Sequence, residues 1–148
     1  MKRHLLFWLF ALCCGALAAA SSTGPPGPHD MLFLRASDVT WDDSPGAEEL
    51  QTKVIWSDPQ TGAYGAYTKR RAGHSVPLHT HSQDSRVLVF SGTLVLTLEG
   101  HAPQELGTGA YGLLPGGAKH TSSCKAGAVC YYYEEQPGPA DTAFVGAK

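Results

Sequence analysis

From Met31 onward the chain shows no stretch with a helical hydrophobic period. It is a succession of short β-rich runs cut by turn residues. The runs are Met31–Arg35, Lys53–Trp56, Ala63–Arg71, Arg86–Phe90, Thr93–Leu98, Ala110–Leu114, Lys119–Ser123 and Ala128–Glu134. Between them stand Asp58-Pro59, Thr61-Gly62, Ser91-Gly92, Glu99-Gly100, Pro115-Gly116-Gly117 and Pro137-Gly138-Pro139. With 17 glycines and 10 prolines, turns recur too often for a helical bundle. Strands at this spacing predict an all-β sandwich or small barrel, and 148 residues suffice for a single domain. Asp43–Gln51 is the one stretch read as able to hold a helical turn. The strongest local pattern is Val87–Phe90, Ser91-Gly92, Thr93–Leu96, which reads as a tight hairpin at the centre of the core. Burial of side chains such as Leu88 or Val95 would contribute roughly 1.5–3 kcal/mol each.

The first twenty residues are of another kind. Lys2, Arg3 and His4 precede an apolar run from Leu5, and Ala18-Ala19-Ala20 stands before Ser21-Ser22. This is the pattern of a secretory signal peptide over residues 1–20, and the apolar run is short for a membrane anchor, which needs roughly 20 residues. Residues 21–30 (SSTGPPGPHD) read as a flexible linker. The chain is therefore expected to be exported, periplasmic or secreted, with no membrane attachment in the mature form.

Removing the signal takes Lys2 and Arg3 but no acid, so the formal charge moves from −2 to −4. A mildly acidic domain has no electrostatic footprint for nucleic acid. Two cysteines remain, Cys124 and Cys130. In an oxidising compartment such a pair reads as a disulfide, because two thiolates without histidine partners cannot close a zinc site.

The histidines carry the chemistry. His79 and His81 are one residue apart, so in a strand both imidazoles share a face. Taken alone, that pair is half of a metal site or a solvent-facing doublet. The wider pattern is Gly73-x5-His79-x-His81-x10-Gly92 followed by Gly109-x5-Pro115-x-Gly117-x2-His120. This resembles the two signature motifs of the cupin superfamily. Within it the chain is similar to the ChrR-like cupins of unknown function (the DUF4437 type), through Trp56–Gly62, Pro77–Ser82, Pro115–His120 and the Cys124/Cys130 pair.

The resemblance implies a cupin-type double-sheet β-barrel (jelly roll) over residues 31–148. It also implies one divalent metal, Zn, Fe or Mn, on His79, His81 and His120. The cupin glutamate ligand falls at Ser85 here, and the asparagine that ends the second motif is Cys124. Ser85 is a poor ligand and suits a hydrogen bond to a metal-bound water or ligand instead. Asp84, one residue off, coordinates only if a bulge turns it inward.

A three-histidine site keeps positions open for water or substrate. Two function classes follow. One is a metal-dependent enzyme (oxygenase, hydrolase or isomerase) on a small molecule. The other is a non-catalytic metal-dependent small-molecule binding or sensing module. A barrel that has lost its metal is a third outcome. No general acid or base is identifiable in the sequence beyond a metal-bound water. Lys69-Arg70-Arg71 reads as a solvated strand end sooner than as an anion clamp, and one face of the Tyr131–Tyr133 run is a candidate cavity lining. Cupins commonly pair barrels, so the resemblance leaves monomer and homodimer both open, and no residue pattern fixes an interface.

Overall fold

The computed structural model describes residues 24–42, 44, 47 and 49–146; the expected signal segment lies outside them. In chain order the strands are β1 (Leu50–Ser57), β2 (Tyr64–Arg70), β3 (Ser75–Thr80), β4 (Ser85–Ser91) and β5 (Leu94–Leu98). Then come β6 (Gln104–Leu106), β7 (Tyr111–Leu114), β8 (His120–Cys124), β9 (Cys130–Gln136) and β10 (Ala143–Phe144). They form two five-stranded antiparallel sheets, ordered β1-β2-β9-β4-β7 and β10-β3-β8-β5-β6. The run pattern left a sandwich or a small barrel open, and the double-sheet barrel that the cupin resemblance implies is the observed architecture.

Period-two alternation sets what faces inward. Tyr64, Ala66, Thr68 and Arg70 are buried on β2, Ser85, Val87 and Val89 on β4, and His120, Ser122 and Cys124 on β8. The apolar part of the interior is Val87, Val89, Leu94, Leu96, Leu114, Cys124, Cys130 and Tyr132. Val39, Tyr64 and Ala66 are buried outside that cluster, and the buried polar or charged positions are Thr68, Arg70, His79, Ser85, His120, Ser122 and Gln136. The apolar cluster and the polar residues thus share the interior, and Val87, Leu94, Leu96, Leu114 and Tyr132 of the cluster border the same cavity as the histidines.

Three expectations are corrected. The Val87–Leu96 segment is not a hairpin: β4 and β5 belong to different sheets, and Ser91-Gly92 is the corner between them. Val87 and Val89 therefore meet Leu94 and Leu96 across the core, not side by side. Leu88 is 38% exposed on the outer face, and Val95 is only half-buried, so neither is a core residue. Apolar alternation is the same for two paired strands and for two facing ones, so the pattern could not separate them.

Met31–Arg35 is not a strand. Met31 and Phe33 stand 85% and 87% exposed, ahead of a short 3-10 turn at Ala36–Asp38. The described residues between Asp43 and Gln51 contain no helical turn; Leu50 and Gln51 already belong to β1. Of the stretch expected to be a linker, residues 24–30 lie within the described chain, and the Pro26 carbonyl accepts a hydrogen bond from Ser57 N–H.

Cys124 and Cys130 are joined as a disulfide, six residues apart and fully buried. It ties β8 of one sheet to β9 of the other. In the loop-closure account a crosslink over so short a segment contributes about 2–3 kcal/mol. The Cys124→Ala/Cys130→Ala protein is expected to be less stable by that amount in urea denaturation; an unchanged midpoint would count against a stabilising role.

Candidate metal centre

His79 lies near the end of β3, His81 just beyond it, and His120 opens β8. β3 and β8 are antiparallel neighbours in which His79 pairs with His120. The ladder slips between Val76 and His79. Pro77 lacks the N–H that a ladder position requires, which accounts for the irregularity. The second link is the Pro115-Gly116-Gly117 turn. Gly117 N–H donates to the His81 carbonyl and Gly116 N–H to Asp84 Oδ1. A Cβ on Gly116 would sit 2.6 Å from the Ser82 carbonyl oxygen, so only glycine permits this approach. The two histidine-bearing segments, forty residues apart in sequence, are latched together by these turn contacts.

The three rings converge. Their centroids lie 4.2 Å (His79–His120), 5.0 Å (His79–His81) and 5.2 Å (His81–His120) apart. One ring nitrogen of each lies within 4.8 Å of the others. Each Nδ1 is engaged by a backbone carbonyl: Pro77 for His79 at 2.6 Å, Ala118 for His120 at 3.0 Å, and Asp141 for His81. A carbonyl only accepts, so each Nδ1 carries the proton and each Nε2 keeps a free lone pair. That is the tautomer a metal ligand requires. Asp141 also accepts from Ser82 N–H through its carboxylate, so the segment leading into β10 orients His81. Nothing in the sequence pattern pointed to Asp141.

Burial holds the pKa of His79 below 6.5, with His120, His81 and Arg70 adding to the effect. Burial, and then His81, does the same to His120. Both rings are therefore neutral near pH 7. Because their folded values are depressed, the unfolded chain takes up these protons first. Their contribution to stability is complete above about pH 6.5 and is lost as pH falls through the folded values. Chelator-treated protein should melt at progressively lower temperature as pH falls below about 6.5; a flat or rising profile would contradict this.

The other expected residues separate. Ser85 is 3% exposed, borders the same cavity as the three histidines, and donates to no other described residue. Asp84 is not in the three-histidine group: its carboxylate accepts from Gly116 N–H and faces Arg86 at 3.9 Å. Of the tyrosine run, Tyr132 points inward, while Tyr131 packs against the outer-face rings of Tyr67 and Phe90, and Tyr133 against Tyr67.

The cavity beside the histidines measures 840 Å³, which suits a small molecule. β1 residues Leu50, Thr52 and Val54 border one side and Ser75–Pro77 another. Four charged residues line it, Glu49, Arg70, Glu134 and Asp141, none of which the sequence pattern placed there. Glu134, on the inward face of β9, accepts from Tyr64 O–H at 3.1 Å and Gln136 Nε2 at 3.3 Å through the same oxygen, Oε1. Burial and the adjacent Glu134 hold the Tyr64 phenol far above its usual range, so it stays protonated. Arg70 is 5% exposed and lines the cavity, whereas its run was expected to be solvated. Arg71 alone is the exposed end, 3.1 Å from Glu49. His74 also borders the cavity, with Nε2 3.7 Å from Glu49.

A double-sheet barrel with clustered histidines facing an internal cavity defines the cupin class. Residues 29–138 match the ChrR cupin-like domain family, and the chain belongs to it. The polyketide cyclase RemF from Streptomyces resistomycificus aligns with a TM-score of 0.65 and 20% identity, over 80% of this chain and 88% of RemF. A cupin-like protein from Thermotoga maritima aligns with a TM-score of 0.60 and 13% identity, over 66% of this chain and 77% of that one. The DMSP lyase DddQ from Ruegeria pomeroyi aligns with a TM-score of 0.58 and 16% identity, over 69% of this chain. The chain spans about half of DddQ, 54%. At these identities the likeness is one of fold. No curated protein sequence matches the chain. No helix among the described residues is long and apolar enough to cross a membrane.

Proposed function

We propose that His79, His81 and His120 hold one divalent metal ion, Zn, Fe or Mn, and that the protein is an exported metal-dependent enzyme acting on a small molecule. The observation that carries this is the set of three free Nε2 lone pairs, each fixed by a carbonyl on the opposite ring nitrogen. A divalent ion there would supply Lewis acidity toward a substrate oxygen or a bound water.

The protein's own residues supply the rest. Glu134 Oε1 is occupied by Tyr64 and Gln136, which orients the carboxylate, and Oε2 accepts no hydrogen bond from the described residues. Oε2 is therefore the candidate proton acceptor, and Tyr64 the proton-holding donor that steadies it. Ser85 offers its hydroxyl to a ligand in the same cavity. These groups fit an oxygenase, hydrolase or isomerase. The same histidines would serve a binding or sensing module without turnover; the oriented carboxylate in the cavity favours catalysis. The buried disulfide supports export, and the stretches around Trp56, His79 and His120 support the DUF4437-type grouping. Pairing of two barrels belongs to the same proposal and is tested by sedimentation equilibrium.

The decisive experiment uses untagged mature protein. Metal analysis is followed by oxygen-consumption and product assays with thiols, phenols and small acids. One metal per chain, with turnover lost in Glu134→Gln while the metal is retained, is the expected result. Full turnover in that variant would remove Glu134 from the chemistry. Ligand stabilisation with no consumption under any condition would favour the binding module.

A further inference from the structure

Arg70 is a buried cation without a buried anion beside it. Its Nη1 donates to Ser122 Oγ and its Nη2 to Tyr132 Oη, each at 3.0 Å, while Nε has no partner. No carboxylate of the described residues lies within 4.0 Å of the guanidinium. Removing a charge from water without a counter-charge is strongly unfavourable. Tyr132 cannot cancel it as a phenolate, because burial pushes that phenol up to about 12, against the opposing pull of Arg70. Glu134 is committed to Tyr64 and Gln136. It lies four residues along β9 from Cys130, the ladder partner of Arg70, which is about 13 Å of strand.

The hydroxyls sharpen the point. Ser122 accepts from Arg70 and donates to no other described residue, so it keeps an O–H to give. Tyr132 accepts from Arg70 and also has the Thr68 side chain as a hydrogen-bond neighbour. The guanidinium and these hydroxyls stand at the cavity wall with one positive charge and no carboxylate beside it. Ser122 follows His120 by one inward step on β8, about 7 Å along the strand. Val87, Leu94 and Leu96 supply apolar wall to the same cavity.

We propose that Arg70, Ser122 and Tyr132 receive the carboxylate of a small organic acid whose other end lies at the three histidines. This names the substrate class and rests on the reading of the cavity as the small-molecule site. One unpaired charge matches a monoanionic carboxylate better than a phosphate dianion, and the apolar wall matches a short carbon skeleton.

The test is calorimetric titration of the full mature protein, metal-loaded and chelator-treated. The probes are malonate, succinate and glutarate, with their neutral diamides and inorganic phosphate alongside. At least one acid should bind with one site per chain, about tenfold or more tighter than its diamide. Arg70→Met should weaken that binding about tenfold or more in both metal states, with metal content unchanged. Ser122→Ala, which removes one donor and little volume, should weaken it in the same direction and guards against misfolding of the arginine variant. Diamides binding as well as acids, acids binding both variants as tightly as the parent, phosphate binding tighter than every acid, or no acid binding at all would each overturn the proposal. A parent protein that binds acid in this way but takes up no Zn, Fe or Mn under any loading condition would overturn the metal assignment alone.

Discussion

The His120→Ala protein is expected to bind divalent metal at least about a hundredfold more weakly than the parent, and to purify without it. Disturbing only the partners that orient a ligand typically costs 10–100-fold, and this change removes a ligand outright. The geometry leaves no substitute. His79 and His81 would remain as a pair, Asp84 is held by the Pro-Gly-Gly turn, and Ser85 offers only a hydroxyl. The substitution leaves the buried disulfide and every side chain of the apolar cluster in place, so the variant should still fold, with a cooperative melt and no free thiol on denaturation without reductant. Metal analysis of untagged protein checks the outcome. A variant that still carries one ion per chain would exclude His120 as a ligand and dissolve the proposed centre.

The second large effect is expected far from the metal. Gly92→Ala should destabilise the fold by about 2 kcal/mol or more, read as a shift of the urea midpoint at constant slope. Gly92 turns the chain from β4 in one sheet to β5 in the other with φ at +75°, which costs an L-residue about 1–2 kcal/mol. A Cβ there would also lie 2.6 Å from the Val129 carbonyl oxygen and 2.9 Å from Cys130 Cα, both backbone atoms that cannot swing aside. Gly100→Ala is the control. Its φ is +78°, but nothing lies within 4 Å of the added methyl, so it should show the conformational part alone. Equal losses in the two variants would mean that the close approach at the sheet corner contributes nothing.

Much of this molecule can be read along the chain. Period-two alternation placed His79 and His81 on one face, and turn residues marked most of the strands. The fixed offsets from Gly73 to His120 carried the cupin resemblance and with it the three-histidine cluster. Cys124 and Cys130, isolated and close in sequence, announced their own pairing. One signal went unused. If Cys130 faces inward, alternation along β9 takes Tyr132, Glu134 and Gln136 inward as well, and Glu134 could have been named as the cavity carboxylate.

Other features depend on which strands become neighbours, and local pattern is silent on that. Val87–Val89 and Leu94–Leu96 present the same alternation whether they pair in one sheet or face each other across two, and only closure of the barrel selected the second. Arg70 sits in a basic run that any strand end could carry. Its burial follows from its place opposite Cys130 and its reach to Ser122 on the other sheet, fifty-two residues away. The carbonyl of Asp141 meets His81 because β10 lies beside β3. Residue chemistry and spacing belong to the chain and survive in one dimension. Burial, counter-charge and ring tautomer are set by atoms distant in sequence, and they come into being only when the two sheets close around the cavity.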